Sequence, residues 1–481
     1  MSLSNKDIDT ILVKFLSIDD MRILCQVNKY YNNFIKTLLR EYYDFFDIVD
    51  TIKIPKIDFS FGAGYRYLLL KAIKVRNLNI CKYIICSGNY CIPDADKAFL
   101  LFCEYGYIDL AKLLFNSPRD YIYFESFYNP FLTSCEYGHI EIAKWLLSVA
   151  KIDIHYNDNY ALQKSCINGH INIAKWLLSY GNINIHRYIN HIFAKTCGNG
   201  NIETAQWLFS FGNVDIHDDV DYAFRLACGN GRIEIAKWLL SLGNVNTHAC
   251  GEDAFHKSCE NGHLNVAQWL FSINEVNLAP ILSWHGFGNS CKNGHLDVAQ
   301  WLHSIGIFKT QPWFEEIFDN CCRNGHIDIA KWLSTVAKIK YSNKTFINSC
   351  ENGHLNIAKW LLTLYRVNIH ANNDDAFQKS CRNGHLHVAK WLYSLGNIDI
   401  HANDDLAFHK SCIEDHIEVA QWLFSLGGVK IRINDDETFK TCCDDDNLDI
   451  VRWLCSICRC YDYEYNDTQI MYEITDNDSD D

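Results

Sequence analysis

One segment of about a dozen residues recurs down most of the chain, and that recurrence restricts the fold more than any single motif does. It reads CEYGHIEIAKWL from Cys135, CINGHINIAKWL from Cys166, CGNGNIETAQWL from Cys197 and CGNGRIEIAKWL from Cys228. It continues as CENGHLNVAQWL from Cys259, CKNGHLDVAQWL from Cys291, CRNGHIDIAKWL from Cys322, CENGHLNIAKWL from Cys350, CRNGHLHVAKWL from Cys381 and CIEDHIEVAQWL from Cys412. Equivalent cysteines lie 31 or 32 residues apart, except for a step of 28 between Cys322 and Cys350. Weaker copies start at Cys103 and Cys443, and a faded one surrounds Arg76, which makes about thirteen. A fixed period of this length calls for an array of stacked units.

Each copy reads as two short helices and a connector. In DDAFQKSC (Asp374 to Cys381), Phe377 and Cys381 are four apart and share a helical face. The Asn-Gly that follows stops the helix, because Gly384 takes a left-handed C′ conformation without a Cβ penalty. HLHVAKWLYSLG restarts one, with Leu386, Ala389 and Leu392 on one stripe and Val388, Trp391 and Leu395 beside it. An apolar arc this wide cannot be covered within one unit, so neighbours must bury it and stability must sum over repeats and interfaces. Tryptophans at 145, 176, 207, 238, 269, 301, 332, 360, 391, 422 and 453 hold one position in successive repeats. The pattern therefore predicts an all-α helix-pair solenoid with indoles wedged between layers.

These residues resemble the ankyrin repeat, whose second half runs G-H-L-x-V-V-K-L-L-L-x-x-G. The Ala-Lys-Trp-Leu version, with Cys ahead of Asn-Gly-His, is similar to the large ankyrin-repeat family of giant amoebal DNA viruses. The resemblance spans roughly residues 65–460 and implies a protein-binding scaffold without catalysis, acting in the cytoplasm of a host cell. Two departures stand out: the family's Thr-Pro-Leu-His opening is replaced by versions of Asp-Ala-Phe-x-Lys-Ser-Cys, and the step is shorter than the family's, which implies tighter connectors.

Charge and composition narrow the partners. The formal charge is -14, from 58 acidic against 44 basic residues, so a phosphate backbone is repelled and nucleic acid is not expected. No apolar run approaches the ~20 residues of a membrane helix, and MSLSNKDIDT is too polar to open a secretory signal. An intracellular, monomeric protein is expected, with its 22 cysteines reduced.

A thiol four residues ahead of an imidazole can suggest a nucleophile with its base, or a metal site. Here the pair occurs eight times, at Cys135/His139, Cys166/His170, Cys259/His263, Cys291/His295, Cys322/His326, Cys350/His354, Cys381/His385 and Cys412/His416, without a recurrent third partner. A catalytic pair needs one privileged environment, so repetition argues against catalysis. Tyr107, Asn201, Arg232 and Asn447 replace the histidine while the repeat persists, which argues against a zinc ligand. The reading is a small buried cysteine and a polar turn histidine, with no cofactor. CSICRC (Cys455, Cys458, Cys460) offers three thiols but no evident fourth ligand.

Recognition is then expected on the connectors, which do not hold the stack. Asp158, Asp218, Asp219, Asp253, Asp374, Asp375, Asp404, Asp405, Asp435 and Asp436 form an acidic series suited to a basic partner surface. The acid beside each Ala-Phe is expected to cap the first helix, leaving the second acid for contact. Among these the best contact candidates are Asp158, Asp218, Asp219, Asp374, Asp404 and Asp435. Trp284, Trp313 and Phe314 sit where other repeats carry Asn and Asp, either as interface anchors or as plugs at a bend.

The termini differ. Residues 1–50 do not follow the repeat, and DIDTILVKFLSIDDMRILCQVNKYYNNFI (Asp7 to Ile35) resembles an F-box, which implies docking on a Skp1-like ubiquitin-ligase adaptor. The matching positions include Leu12, Phe15, Leu16, Met21, Leu24 and Val27, although the family's Leu-Pro would fall on Ser4 and Asn5. The alternative is a helical cap over the open end of the array. Residues 51–64 read as a linker, 65–460 as the solenoid, and the acidic 461–481 as a disordered tail.

Overall fold

The computed structural model describes residues 69–70, 72–74, 76–86, 95–116, 127–181, 185–273, 280–305, 313–433, 436–466 and 469–475. The F-box-like segment and the linker lie outside these. The chain divides into two compact units, Met1–Asp218 and Asp219–Asp481. Both are built from the same helix pair.

The pair at Ala371–Arg382 and Leu386–Ser394 shows how sequence sets geometry. The first helix ends as the Asn-Gly predicts. Gly384 has φ +76°, its N–H bonds the Cys381 carbonyl, and the His385 N–H reaches the Ser380 carbonyl at 2.8 Å, closing a Schellman turn. Where glycine is absent, Arg76, Asp415 and Asp446 take the same left-handed conformation, so the faded repeats keep the turn.

Within the first unit, first helices Ala95–Tyr105, Tyr128–Glu136, Tyr156–Ile167 and Ile189–Asn199 pack each on the next. In the second unit Ala249–Glu260, Pro280–Lys292, Phe314–Arg323, Asn343–Glu351, Ala371–Arg382, Ala402–Ile413 and Glu437–Asp444 do likewise. Small residues permit the close approach: Cys381, Ser380 and Ala389 are all fully buried.

The largest fully buried side chains are phenylalanines, one in nearly every repeat, such as Phe131, Phe255, Phe318 and Phe377. Most lie about one ring's width from the tryptophan of the following repeat. Phe131 and Trp176 are 6.4 Å apart, Phe255 and Trp301 6.3 Å, and Phe377 and Trp422 6.2 Å. The indoles do wedge between layers, but they are only half-buried. A lysine of the preceding second helix covers some of the exposed faces, as Lys390 does for Trp422 at 5.9 Å.

The expected disordered tail is corrected over residues 461–474. Tyr461–Asn466 (β1) pairs antiparallel with Gln469–Ile474 (β2), Tyr461 opposite Ile474 and Asn466 opposite Gln469. The reason is the alternation in YDYEYN and QIMYEI, which turns apolar rings to one face. Tyr461 stacks on Phe439 at 4.0 Å, Tyr472 meets the same ring edge-on, and Ile470 is buried. The hairpin thus covers the last repeat where a further one would otherwise be needed.

Candidate functional site

Two features repeat at the surface of the helix pairs: the turn between first and second helix, and the connector leading to the next repeat. The turn is occupied by structure. His139 donates from Nε2 to the Glu104 carbonyl at 2.8 Å, and His354 to the Arg323 carbonyl at 2.8 Å, each reaching back to the preceding repeat. Each ring also fills the space where a Cβ on the preceding repeat's glycine would stand: a Cβ on Gly353 would lie 2.7 Å from His385 Nδ1.

A neighbouring asparagine shares the work. Asn383 donates to the Glu351 carbonyl at 2.7 Å and Asn168 to the Glu136 carbonyl at 3.0 Å. Two of the residues that replace the histidine make the same bond. Asn201 replaces the histidine and donates to the Ile167 carbonyl at 2.8 Å, alongside Asn199 at 3.0 Å; Asn447 donates to the Ile413 carbonyl at 3.1 Å. In these repeats the position aims a side-chain N–H at one carbonyl of the preceding repeat. The polar turn histidine is thus a clamp between repeats.

The thiols go the other way, into the core. Burial pushes Cys103, Cys166 and Cys259 up to about 12, and pushes Cys135, Cys228, Cys350 and Cys381 up as well. A thiol held protonated is a poor nucleophile and a poor ligand. Among the described residues no group of three or more His, Cys, Asp or Glu is placed to hold a metal ion. Cys455, Cys458 and Cys460 are partly exposed at the end of the last helix.

The connectors carry an unusual backbone. Asn372, Asn373 and Asp374 have φ of 56°, 58° and 59°, and the same three-residue left-handed turn occurs at Asn157–Asn159, Asp219–Asp221, Cys250–Glu252 and Asn403–Asp405. Asn, Asp and Gly dominate these positions because other L-residues meet steric cost there. The third residue is fixed by its neighbours. Asp374 accepts from His370 Nδ1 at 2.7 Å and from the Asp399 N–H at 3.3 Å; Asp405 accepts from His401 Nδ1 at 2.5 Å and the Lys430 N–H at 3.0 Å. Asp221 accepts the Asn246 N–H at 3.0 Å, and Asp436 takes Arg432 and the Tyr461 hydroxyl. Each acid ties its own connector to the segment 25 residues on.

This sorts the sequence candidates. Asp374 is corrected: only 6% exposed, it serves the fold and cannot meet a partner. Its neighbour Asp375, the acid beside Ala-Phe expected to cap the helix, pairs with Lys379 at 3.5 Å. Asp158, Asp218 and Asp219 are exposed, and the Asp404 side chain is 79% exposed. Asp253 is engaged by Arg225 at 2.8 Å. Asp435 and the Trp284 side chain lie outside the described residues. Phe314 is corrected as a contact candidate, because it is buried and packs edge-on against Phe287 at 5.9 Å, while Trp313 beside it is half-buried. The sequence reading missed Tyr156 and Val220, which stand 58% and 51% exposed on left-handed turns or beside them. Their signal was an apolar residue among Asn and Asp in a connector.

A family model described as ankyrin repeats (3 copies) matches residues 99–188, 191–279 and 346–435, more than half of the chain. Among solved structures, the human ASB11 ankyrin repeat domain is similar at 19% identity, with a TM-score of 0.28, covering 37% of this chain and 83% of that one. The search of curated proteins returns no match.

Proposed function

Because the chain belongs to the ankyrin-repeat family, whose repeats are protein-protein interaction modules, we propose that it is a non-enzymatic scaffold holding a protein partner on its connectors. The observation that carries this is the left-handed turn. Its third residue is held by the histidine four residues back, as in His370/Asp374 and His401/Asp405, so the two residues ahead of it are held out at the surface in a fixed pose, where Asp158 also accepts from the Tyr188 hydroxyl at 2.8 Å and Asp404 lies 3.6 Å from Lys430. Pre-organised tips lose little freedom on binding. In the first unit the tip presents Tyr156, Asn157 and Asp158; in the second it presents Asp219 and Val220, Asn372 and Asn373, and Asn403 and Asp404. Aromatic and apolar groups beside acids suit a partner face with basic and apolar residues. The Cys-Asn-Gly-His form of the repeat supports a viral origin, with a host cytoplasmic protein as partner. Proximity labelling should compare the whole chain with a variant carrying Tyr156→Ser, Asp158→Asn, Asp219→Asn, Val220→Ser and Asp404→Asn. Loss of specific labelled proteins at unchanged thermal stability supports the reading; an identical labelled set refutes it.

A second reading rests on the N-terminal spacing alone. Leu12, Phe15, Leu16, Met21, Leu24 and Val27 would dock a Skp1-like adaptor, making the chain a substrate receptor for ubiquitination. Capture of purified Skp1 by the full chain, lost in Leu16→Asp, is the expected result. No capture by either form excludes it.

A further inference from the structure

We propose that the histidine clamps make the stack acid-sensitive, so that mild acidification loosens neighbouring repeats while leaving intact those joined through asparagine. Three independent features disfavour charge on these rings. First, each histidine stands at the N-cap of its second helix, as His170, His326 and His385 do at Ile171–Leu178, Ile327–Val336 and Leu386–Ser394. A cation there faces the positive end of the helix dipole. Second, the ring lies against the preceding glycine, with a Cβ position 2.6 Å from Nδ1 at Gly231 and 2.7 Å at Gly294 and Gly353, so a newly protonated Nδ1 meets backbone where it needs an acceptor. Third, the rings succeed one another repeat by repeat.

The charged surroundings do not offset this. His263 has Arg232 and His295 as neighbours; His326 has His295 and His354, with Lys292 supplying the carbonyl and Asp328 in its own first turn. His385 faces His387, His354 and His416, and the Glu351 that supplies its carbonyl is paired with Lys379 at 3.2 Å. His170 faces His139, and its Glu136 is paired with Lys164 at 2.8 Å. In agreement, burial holds all four imidazoles below the ordinary histidine value. The sign follows directly. A folded pKa below the unfolded value of about 6.5 leaves stability unaffected above that pH and erodes it as pH falls through and below it, roughly tenfold in the folding equilibrium for each unit of difference once both forms are protonated.

The chain contains its own control, since Asn201 and Asn447 make the same carbonyl bond without a titrating group. Urea unfolding of the full chain, followed by tryptophan fluorescence at pH 7.5 and pH 5.5, should show a lower midpoint at pH 5.5. In the triple variant His170→Asn, His326→Asn and His385→Asn the drop should shrink by more than half. Two buried histidines elsewhere, His256 and His409, are also held low by burial. If the drop persists in the triple variant and vanishes in His256→Gln with His409→Gln, the proposal is overturned. Should the triple variant fold poorly, the ring proton shifts of His170, His326 and His385 in the native protein decide: apparent pKa values below that of an unfolded peptide support the proposal, and values at or above it overturn it.

Discussion

Replacing Gly353 by alanine isolates the clamp. Gly353 has φ +80°, a conformation that costs an L-residue about 1–2 kcal/mol. Its new Cβ would stand 2.7 Å from His385 Nδ1 and 2.8 Å from Cε1, so the imidazole must leave and its bond to the Glu351 carbonyl is lost. The carbonyl keeps Asn383 as a donor, so the lost bond adds about 0.5–1.5 kcal/mol. The expected total is about 1.5–3.5 kcal/mol, read as a fall in the urea midpoint. The two terms separate in a cycle, because in a His385→Ala background the space beside the glycine is open and Gly353→Ala should cost only the backbone share of about 1–2 kcal/mol. The sequence already observes this coupling: Asp415 stands at the glycine position, and the residue that follows it one repeat later is Asn447, not histidine. Equal costs in both backgrounds would refute the idea that ring and glycine are fitted to each other.

Other substitutions test the remaining pieces. Asp405→Ala removes the acceptor of His401 and of the Lys430 N–H and should cost about 1–3 kcal/mol, whereas Asp404→Ala should stay within about 0.5 kcal/mol in the same thermal melt. Tyr461→Phe keeps the stacked ring but frees Asp436, for a loss of about 1 kcal/mol in chemical denaturation. His409 bonds Thr438 Oγ1 at 2.9 Å, while the equivalent ring of His256 faces Gly286 and neither of its nitrogens has a partner. Gly286→Thr should therefore raise the melting temperature, and a lower one would show that the helices cannot part by the few tenths of an ångström the new Cβ needs.

The stack was legible because its cause is periodic: a tryptophan, a cysteine and an Asn-Gly at one step recur too often to be local accidents. The family match and the helix pairs agree with that reading. What stayed hidden depends on pairings that span repeats. The buried acid is set by its distance from the preceding histidine or arginine, four residues in His370/Asp374, His401/Asp405 and Arg432/Asp436, and not by its distance from Ala-Phe. Reading from the wrong landmark made Asp374 a contact residue. An irregular connector leaves Phe314 open as an anchor or a plug in the sequence, and the structure puts it one helical turn ahead of Phe318, on the same buried face. The terminal hairpin was masked by acidic composition, although Tyr461, Tyr463 and Tyr465 alternate with acids in strand period.

The division of labour between turn and connector is the core of the account, and site-specific photocrosslinking addresses it most directly. A benzophenone amino acid is placed at Asn157 or Asn403 on the connectors, or at Asn324 or Asn383 in the turns, and the chain is irradiated in cells. Adducts to a discrete protein from the connector positions, with none from the turns, are predicted. Adducts from the turns and none from the connectors would contradict it.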